Sequence, residues 1–284
     1  MKKLLLGLIG SGIQRSLSPA LQEEEARQNG LRLHYQLIDL TPAGVGNEAL
    51  PGLIQAARVM RFDGLNITFP CKQAVIPLLD GLSGEAKAMG AVNTVVRQDG
   101  KLIGHNTDGP GWAWGFQRAL PGADLSHVVL LGAGGAGAAV GYAALGLGVS
   151  KLSVFDVDPS RSAALASTLS AAYPGKTFQV RNIDAVKEAA GLIHATPMGM
   201  AASPGMPLEA SLLRKDLWLS EVVYVPLETE LLKAAKRAGC KVMDGGHMNV
   251  GQAVRGFKLF TGLEADPARM EAHFRRIVSL PAAA

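Results

Sequence analysis

The sequence predicts an α/β protein built around two parallel sheets. Strand-like apolar runs alternate with helical segments along most of its 284 residues, the pattern of parallel sheets covered by helices. Polar residues interrupt the ends of the N-terminal strands, where open α/β sheets place ligands. In the second half an apolar run breaks into glycines and then into an alanine-rich helical stretch, Val128-Val-Leu-Leu-Gly-Ala-Gly-Gly-Ala-Gly137. That order of parts is the fingerprint of a dinucleotide site.

The elements follow in order. Residues 4–9 read as a first buried strand. The opening Met1-Lys-Lys-Leu-Leu-Leu-Gly-Leu-Ile-Gly10 briefly resembles a secretory leader, but its apolar run is short, lacks a convincing cleavage site and stops at Gly10 to Gly12. Ser18-Pro19 predicts a helix start, with Ser18 as the N-cap, Pro19 at the first helical position and Glu23 to Glu25 close behind. Gly30 ends that helix. Residues 34–40 and 64–68 are the second and third strands, with a helix around 53–60 between them. Residues 91–96 and 101–105 flank Gln98-Asp99-Gly100, a good hairpin turn. A helix near 111–120 leads into the glycine run. Beyond it the βα pattern continues through 151–155, 160–172, 177–181, 185–190 and 192–195, then 221–225, 228–238 and 241–243. Helices at about 250–260 and 267–278 close the chain. With no long linker, the boundary near Asp108 is expected in a helix or a tight connection.

Each glycine of the fingerprint has a mechanical reason. Gly132 permits a tight turn, Gly134 lets a pyrophosphate approach the backbone, and Gly137 lets helix and strand pack closely. The N–H groups and dipole of the helix N-terminus favour phosphates. Asp156 follows Gly137 by 19 positions, at the end of the next strand-like run, where a carboxylate can accept hydrogen bonds from the adenosine ribose.

Bulk composition narrows the class. Lys and Arg total 28 against 24 Asp and Glu, a net charge of +4 without a basic run, so a nucleic-acid partner is not expected. The two cysteines, Cys71 and Cys240, stand in unrelated contexts, which argues against a disulfide framework or a metal site and fits a reducing cytoplasm. Cys71 reads as a small buried residue rather than a reactive thiol. No apolar run approaches the ~20 residues of a membrane span, so a soluble cytoplasmic protein without a membrane partner is expected.

The N-terminal half supplies the polar groups. Gly64-Leu-Asn66-Ile-Thr68-Phe-Pro-Cys-Lys72 puts Asn66 and Thr68 on one strand face, with Lys72 just after the strand. Ala91-Val-Asn93-Thr and Gly104-His-Asn-Thr-Asp108-Gly are two more polar interruptions. With Ser16-Leu-Ser18-Pro, Ala195-Thr-Pro-Met-Gly-Met200, Tyr224-Val-Pro and Gly251-Gln252-Ala, these motifs make the chain resemble the shikimate dehydrogenase family, including its quinate/shikimate branch, over essentially its whole length.

That resemblance implies an N-terminal α/β substrate domain, residues 1–107 completed by helices of 250–284, and a Rossmann NAD-binding domain, residues 108–249, with substrate held against the nicotinamide between them. It implies Lys72 and Asp108 as the catalytic pair, and Ser16, Ser18, Asn66, Thr68, Asn93, Tyr224 and Gln252 as the grip on a cyclic hydroxy acid. For the cofactor it implies Gly132, Gly134, Gly135, Ala136, Gly137, Asp156, Asp158, Thr196, Pro197, Met198 and Met248. A lysine beside the reacting oxygen can take a proton from an alcohol or return one to a developing alkoxide, and a neighbouring carboxylate would orient it. A homodimer is left open, and no metal is implied.

Departures from the family pattern carry the finer expectations. NADP-using members typically have an Asn-Arg-Thr-like run after the second Rossmann strand; here Asp156-Val-Asp158 stands there. Two carboxylates repel a 2′-phosphate and suit a free ribose diol, which favours NAD. Asp158 is equally well explained as a helix N-cap before Pro159 and Ser160. Ser18, where quinate-active relatives often carry threonine, favours shikimate, whereas NAD use points to the quinate branch. The reading adopts shikimate, with quinate or aminoshikimate as alternatives and a catalytically weak ligand-binding relative as a further one. Asn249 and Gly251 replace the usual leucine and an aromatic or histidine, changes expected to widen the pocket or slow turnover. His247 is either a ligand contact or a solvent-facing loop residue. His194, in place of the common asparagine, is given no chemical role, and Trp112, Trp114, Met198 and Met200 are read as packing and cofactor-wall residues.

Overall fold

Among residues 3–279, which the computed structural model describes, strand and helix alternate into two six-stranded sheets. The chain divides into two units, Met1–Thr107 with Ala253–Ala284, and Asp108–Gln252. Residues 1–2 and 280–284, part of the expected first domain, lie outside the described residues.

The first unit contains β1 (Lys3–Gly10), β2 (Arg32–Asp39), β3 (Gly64–Ile67), β4 (Gly81–Leu82), β5 (Thr94–Gln98) and β6 (Lys101–His105), ordered β2-β1-β3-β5-β6-β4. Its helices in this stretch are α1 (Ser18–Gln28), α2 (Leu40–Ala43), α3 (Leu50–Val59), α4 (Cys71–Ala74) and α5 (Gly84–Met89). Strand β1 pairs in parallel with β2 and β3, while β5 runs antiparallel to both β3 and β6. The first sheet is therefore mixed rather than parallel. The cause is local: Asp99 and Gly100 both take positive φ, 49° and 80°, and a two-residue turn of that kind joins only antiparallel neighbours.

The start of α1 differs from the expected cap. Leu17 is already in the right-handed helical region and Ser18 is the first helical residue, with no side-chain cap. Ser16 Oγ instead accepts the Ser18 N–H at 3.3 Å. Proline tolerates either of the first two helical positions because its missing N–H has no intrahelical partner there, so Pro19 did not locate the cap to the residue.

The second unit contains α6 (Asp108–Ala119), β7 (His127–Leu131), α7 (Gly135–Gly146), β8 (Lys151–Phe155), α8 (Pro159–Ala172), β9 (Thr177–Gln179), β10 (Gly191–His194), β11 (Trp218–Glu221), α9 (Glu230–Arg237) and β12 (Lys241–Met243). Helix α10 (Gly245–Thr261) spans the division point, and α11 (Pro267–Ser279) ends the described chain in the first unit. All strand pairs of this sheet are parallel, in the order β12-β11-β10-β7-β8-β9. The order reverses between β7 and β10, the switch point at which doubly wound sheets bind ligands. Apolar strand residues such as Val128, Leu130, Val154 and Ile193 pack on one face with Trp112 and Phe116, while Val129, Leu131, Leu192 and Leu219 pack on the other. A strand buried on both faces reads as a continuous apolar run, which is how the sequence shows it.

Two elements of this unit fall away from their expected places. Strand β11 ends at Glu221 instead of beginning there; its first residue, Trp218, pairs with Gly191, where the absence of a Cβ leaves room for the ring. The segment expected as a helix at 185–190 is a 3-10 helix, Ile183–Glu188.

The C-terminal helix is tied to the first unit by charge. Glu25 of α1 is 1% exposed at its side chain and receives Arg269 of α11 through Nε at 2.9 Å and Nη2 at 2.5 Å. Without Arg269, which is 36% exposed, Glu25 keeps the Asp266 N–H at 2.9 Å and the Asn29 amide at 3.0 Å but loses the guanidinium. Arg269→Ala is therefore expected to cost about 1.5 kcal/mol, the lower end for hydrogen bonds to a charged group, read as a lower urea midpoint with an unchanged slope.

Candidate active site

The loop between β7 and α7 is built as its glycines require. Gly132 turns with φ +102°, and a Cβ on it would lie 2.7 Å from the Ala195 carbonyl oxygen. A Cβ on Gly137 would collide with the Gly132 carbonyl oxygen, so any side chain there pushes α7 off the strand it follows. Gly134 is the N-cap of α7, and the N–H groups of Gly135 and Ala136 in the first turn have no intrahelical acceptor. Asp156 holds the loop in place: Oδ2 accepts the Ala133 N–H at 2.7 Å and Oδ1 the Asp158 N–H at 3.0 Å.

Asp158 is the N-cap of α8, accepting the Ser160 N–H at 2.9 Å and its hydroxyl at 2.6 Å. Those bonds, the hydroxyl first, lower its pKa below the ordinary aspartate value. One residue escaped the sequence reading. The guanidinium of Arg161 lies 3.3 Å from where a Gly134 Cβ would stand, bringing a cation to the loop's edge. Its signal was present, an arginine in the first turn of a helix opened by Asp158-Pro159.

Across the switch point, Thr196 is half-buried after β10, Pro197 and Met198 are exposed, and Thr196 Oγ1 accepts the Met198 N–H at 3.2 Å. Met200 is exposed as well, whereas Met248 is 6% exposed and packs in the core with Trp112. Trp112 Nε1 donates to Ser220 Oγ at 2.9 Å, and Trp114 carries the Arg118 guanidinium over its ring. Gly251 does not widen a pocket: a Cβ there would strike the Gly111 carbonyl oxygen, so the two glycines let α6 and α10 touch backbone to backbone. Asn249 is 7% exposed, and its Oδ1 has no hydrogen-bond partner among the described residues. His247 lies on α10, not in a loop, with Nδ1 3.1 Å from Asp244 Oδ1.

The first unit gathers its polar residues at one end of its sheet. Asn66 Oδ1 accepts the Tyr35 hydroxyl at 2.6 Å, while its Nδ2 donates to the Asn93 carbonyl at 3.1 Å and Thr94 Oγ1 at 3.2 Å. Asn93 Oδ1 accepts the Thr107 N–H at 2.7 Å and its Nδ2 donates to Thr107 Oγ1 at 2.9 Å. Thr68 follows β3, its methyl filling the space beside Gly10. Lys72 is half-buried in α4, and its carbonyl accepts the Val92 N–H at 2.9 Å. The segments carrying Asn66, Lys72, Asn93 and Thr107 are thus bonded neighbours, and Asp108 is the next residue along the chain. Ser16 and Ser18 are half-buried at the start of α1. Of the remaining expected contacts, buried Asp108 and half-buried Tyr224 and Gln252 belong to the second unit. Gln252 Nε2 donates to the Asn249 carbonyl at 3.0 Å. Cys71 is inert by placement, since burial pushes its thiol up to about 11.

Comparison with known proteins fits this arrangement. Residues 8–95 match the family model described as the shikimate dehydrogenase substrate binding domain. The chain is 54% identical over 282 residues to a shikimate dehydrogenase (NADP(+)) of Streptomyces avermitilis, covering 98% of this chain and 97% of the relative. It is 47% identical over 276 residues to a quinate/shikimate dehydrogenase (NAD(+)) of Corynebacterium glutamicum, covering 95% and 98%. The solved quinate dehydrogenase of Corynebacterium glutamicum in complex with NAD superposes with a TM-score of 0.90 at 46% identity, over 97% of this chain and 100% of that one. Likeness of that extent, spanning both sheets and both sets of polar residues, places the chain in the shikimate dehydrogenase family.

Proposed function

We propose that this protein is an NAD-dependent shikimate dehydrogenase, with Lys72 as the acid/base and Asp108 as its orienting partner. The first unit, Met1–Thr107 with the closing helices, is read as the substrate-binding part and the second as the dinucleotide-binding part. The observation that carries the NAD reading is the pair of carboxylates after β8. Asp156 is bound to the loop backbone but keeps lone pairs on both oxygens for a ribose diol, and ionised Asp158 two residues on opposes a 2′-phosphate.

The residues present fit a dinucleotide. The loop from Gly132 to Gly137 carries nothing larger than a methyl group, and the first turn of α7 offers N–H donors to a pyrophosphate. Gly132, Gly134, Gly135, Ala136 and Gly137 would hold the phosphates, Asp156 and Asp158 the adenosine ribose, and Thr196, Pro197, Met198 and Met248 the nicotinamide end. A bound nicotinamide supplies the hydride acceptor, or in its reduced form the donor.

The chain's own residues do the rest. Asn66, Thr68 and Asn93, with Ser16 and Ser18, grip the hydroxyls and carboxylate of the acid, joined by Tyr224 and Gln252. Lys72 Nζ takes the proton of the hydroxyl being oxidised and returns one to the carbonyl oxygen in the reverse direction. The Asp108 carboxylate holds the ammonium toward that oxygen. Shikimate is favoured over quinate by the smaller Ser18.

One observation favours a second reading. Arg161 beside Gly134 is a cation within reach of the ribose side of the loop, which would admit NADP, the cofactor named for the Streptomyces relative. Steady-state kcat/KM with shikimate or quinate, each paired with NAD or NADP, tests both readings. NAD is expected to exceed NADP at least about tenfold, the effect of roughly 1.4 kcal/mol of charge repulsion. Activity confined to NADP would overturn the assignment of the two aspartates.

A further inference from the structure

Two buried polar residues of the second unit take no part in this scheme. His194 and Glu221 end the adjacent parallel strands β10 and β11 in register with one another, and both are fully enclosed. His194 Nδ1 lies 2.8 Å from Glu221 Oε1. That oxygen also accepts the Val222 N–H at 2.9 Å and the Val223 N–H at 3.0 Å, while Oε2 accepts the Thr229 hydroxyl at 2.9 Å. Thr229 Oγ1 in turn caps α9 by accepting the Leu232 N–H at 3.1 Å.

A carboxylate taking that many donors is acceptor-only, so the hydrogen it shares with the ring sits on Nδ1. In a neutral ring Nε2 is then an acceptor, and it lies 2.5 Å from Thr196 Oγ1. With that tautomer the hydroxyl hydrogen of Thr196 is directed inward to His194. Of its oxygen lone pairs, one receives the Met198 N–H and the other is left for a donor. Buried ionisable pairs are a weak source of stability, and two apolar side chains would pack these strand ends without them.

We propose that His194 and Glu221 are positioning residues that hold Thr196 as a hydrogen-bond acceptor toward a carboxamide N–H of the bound dinucleotide. The inference rests on the reading of Thr196 as a cofactor contact. Thr229 anchors Glu221, Glu221 fixes the tautomer of His194, and His194 fixes the rotor of Thr196. Fixing that rotor before the ligand arrives reduces the ordering cost of binding.

Titration of the full-length protein with NAD and with NADP, followed by fluorescence, tests this alongside shikimate KM. Asparagine places its amide nitrogen close to the position of Nδ1, so His194→Asn keeps the Glu221 contact and loses the reach to Thr196. His194→Asn and Thr196→Val are each expected to weaken dinucleotide binding about fivefold, the effect of one net hydrogen bond, with shikimate KM unchanged. Thr196→Ser should bind as the parent does, and the double variant no more weakly than either single one. Wild-type affinity in His194→Asn, or losses that multiply in the double variant, would overturn the proposal. If His194→Asn does not fold, the low-field Nδ1 proton of His194 carries the test. It should persist in Thr196→Val and move when dinucleotide is added to the parent, and a resonance unmoved by ligand overturns the proposal. Failure of the parent protein to bind either dinucleotide sinks the underlying functional reading instead, and is seen before any variant is compared.

Discussion

Lys72→Ala is expected to lower kcat about 10²- to 10⁴-fold, the range that a positioned acid/base contributes, while KM for shikimate changes little. Lys72 sits in a one-turn helix shortly after β3, and its carbonyl accepts the N–H of Val92, just before β5. Its backbone is therefore held near Asn66 and Asn93, and truncating the side chain removes the proposed proton carrier without dismantling the proposed substrate grip. Lys72→Arg separates charge from proton transfer. A guanidinium keeps the positive charge but does not give up its proton at accessible pH, so this variant should lose nearly as much turnover as the alanine one. Retained kcat with a raised KM in both variants would make Lys72 a binding residue only.

The second large effect is at Gly137. A methyl group there meets the Gly132 carbonyl oxygen, and backbone cannot rotate aside as the tip of a side chain can. Relief requires moving α7 away from β7, which displaces the N–H groups proposed to hold the pyrophosphate. Gly137→Ala is expected to cost about 3 kcal/mol of stability and to abolish measurable dinucleotide binding. Gly191→Ala is the matched control, because its Cβ would strike the Trp218 ring at the opposite end of β10. It should lower the unfolding midpoint similarly and leave dinucleotide affinity near that of the parent. Equal loss of binding in both variants would mean that the loop geometry is not what binds.

Much of this architecture was legible because its determinants are local. Period and apolar run length mark strands and helices, Asp99-Gly100 marks an antiparallel pair, and the spacing of Gly132, Gly134 and Gly137 marks a loop that must come close to something. The polar interruptions at Asn66, Asn93 and Thr107 were equally visible, since strand ends carry few other reasons for amides and hydroxyls. Misplacements occurred where a distant partner decides. Strand β11 was expected three residues late because nothing near Trp218 shows that Gly191, across the sheet, leaves space for its ring. Gly251 suggested an enlarged pocket, but its neighbour is Gly111, on a helix formed far earlier in the chain.

The sequence by itself therefore determined the α/β class, the glycine fingerprint and the polar residues gathered at the strand ends. Only the tertiary structure decided which of them meet. Arg161 reaches the glycine loop, Gly111 faces Gly251, and His194 lies between Glu221 and Thr196. Backbone propensity and periodicity act over a few residues, whereas these contacts depend on the order of strands in a sheet, which sets the neighbours of each strand end.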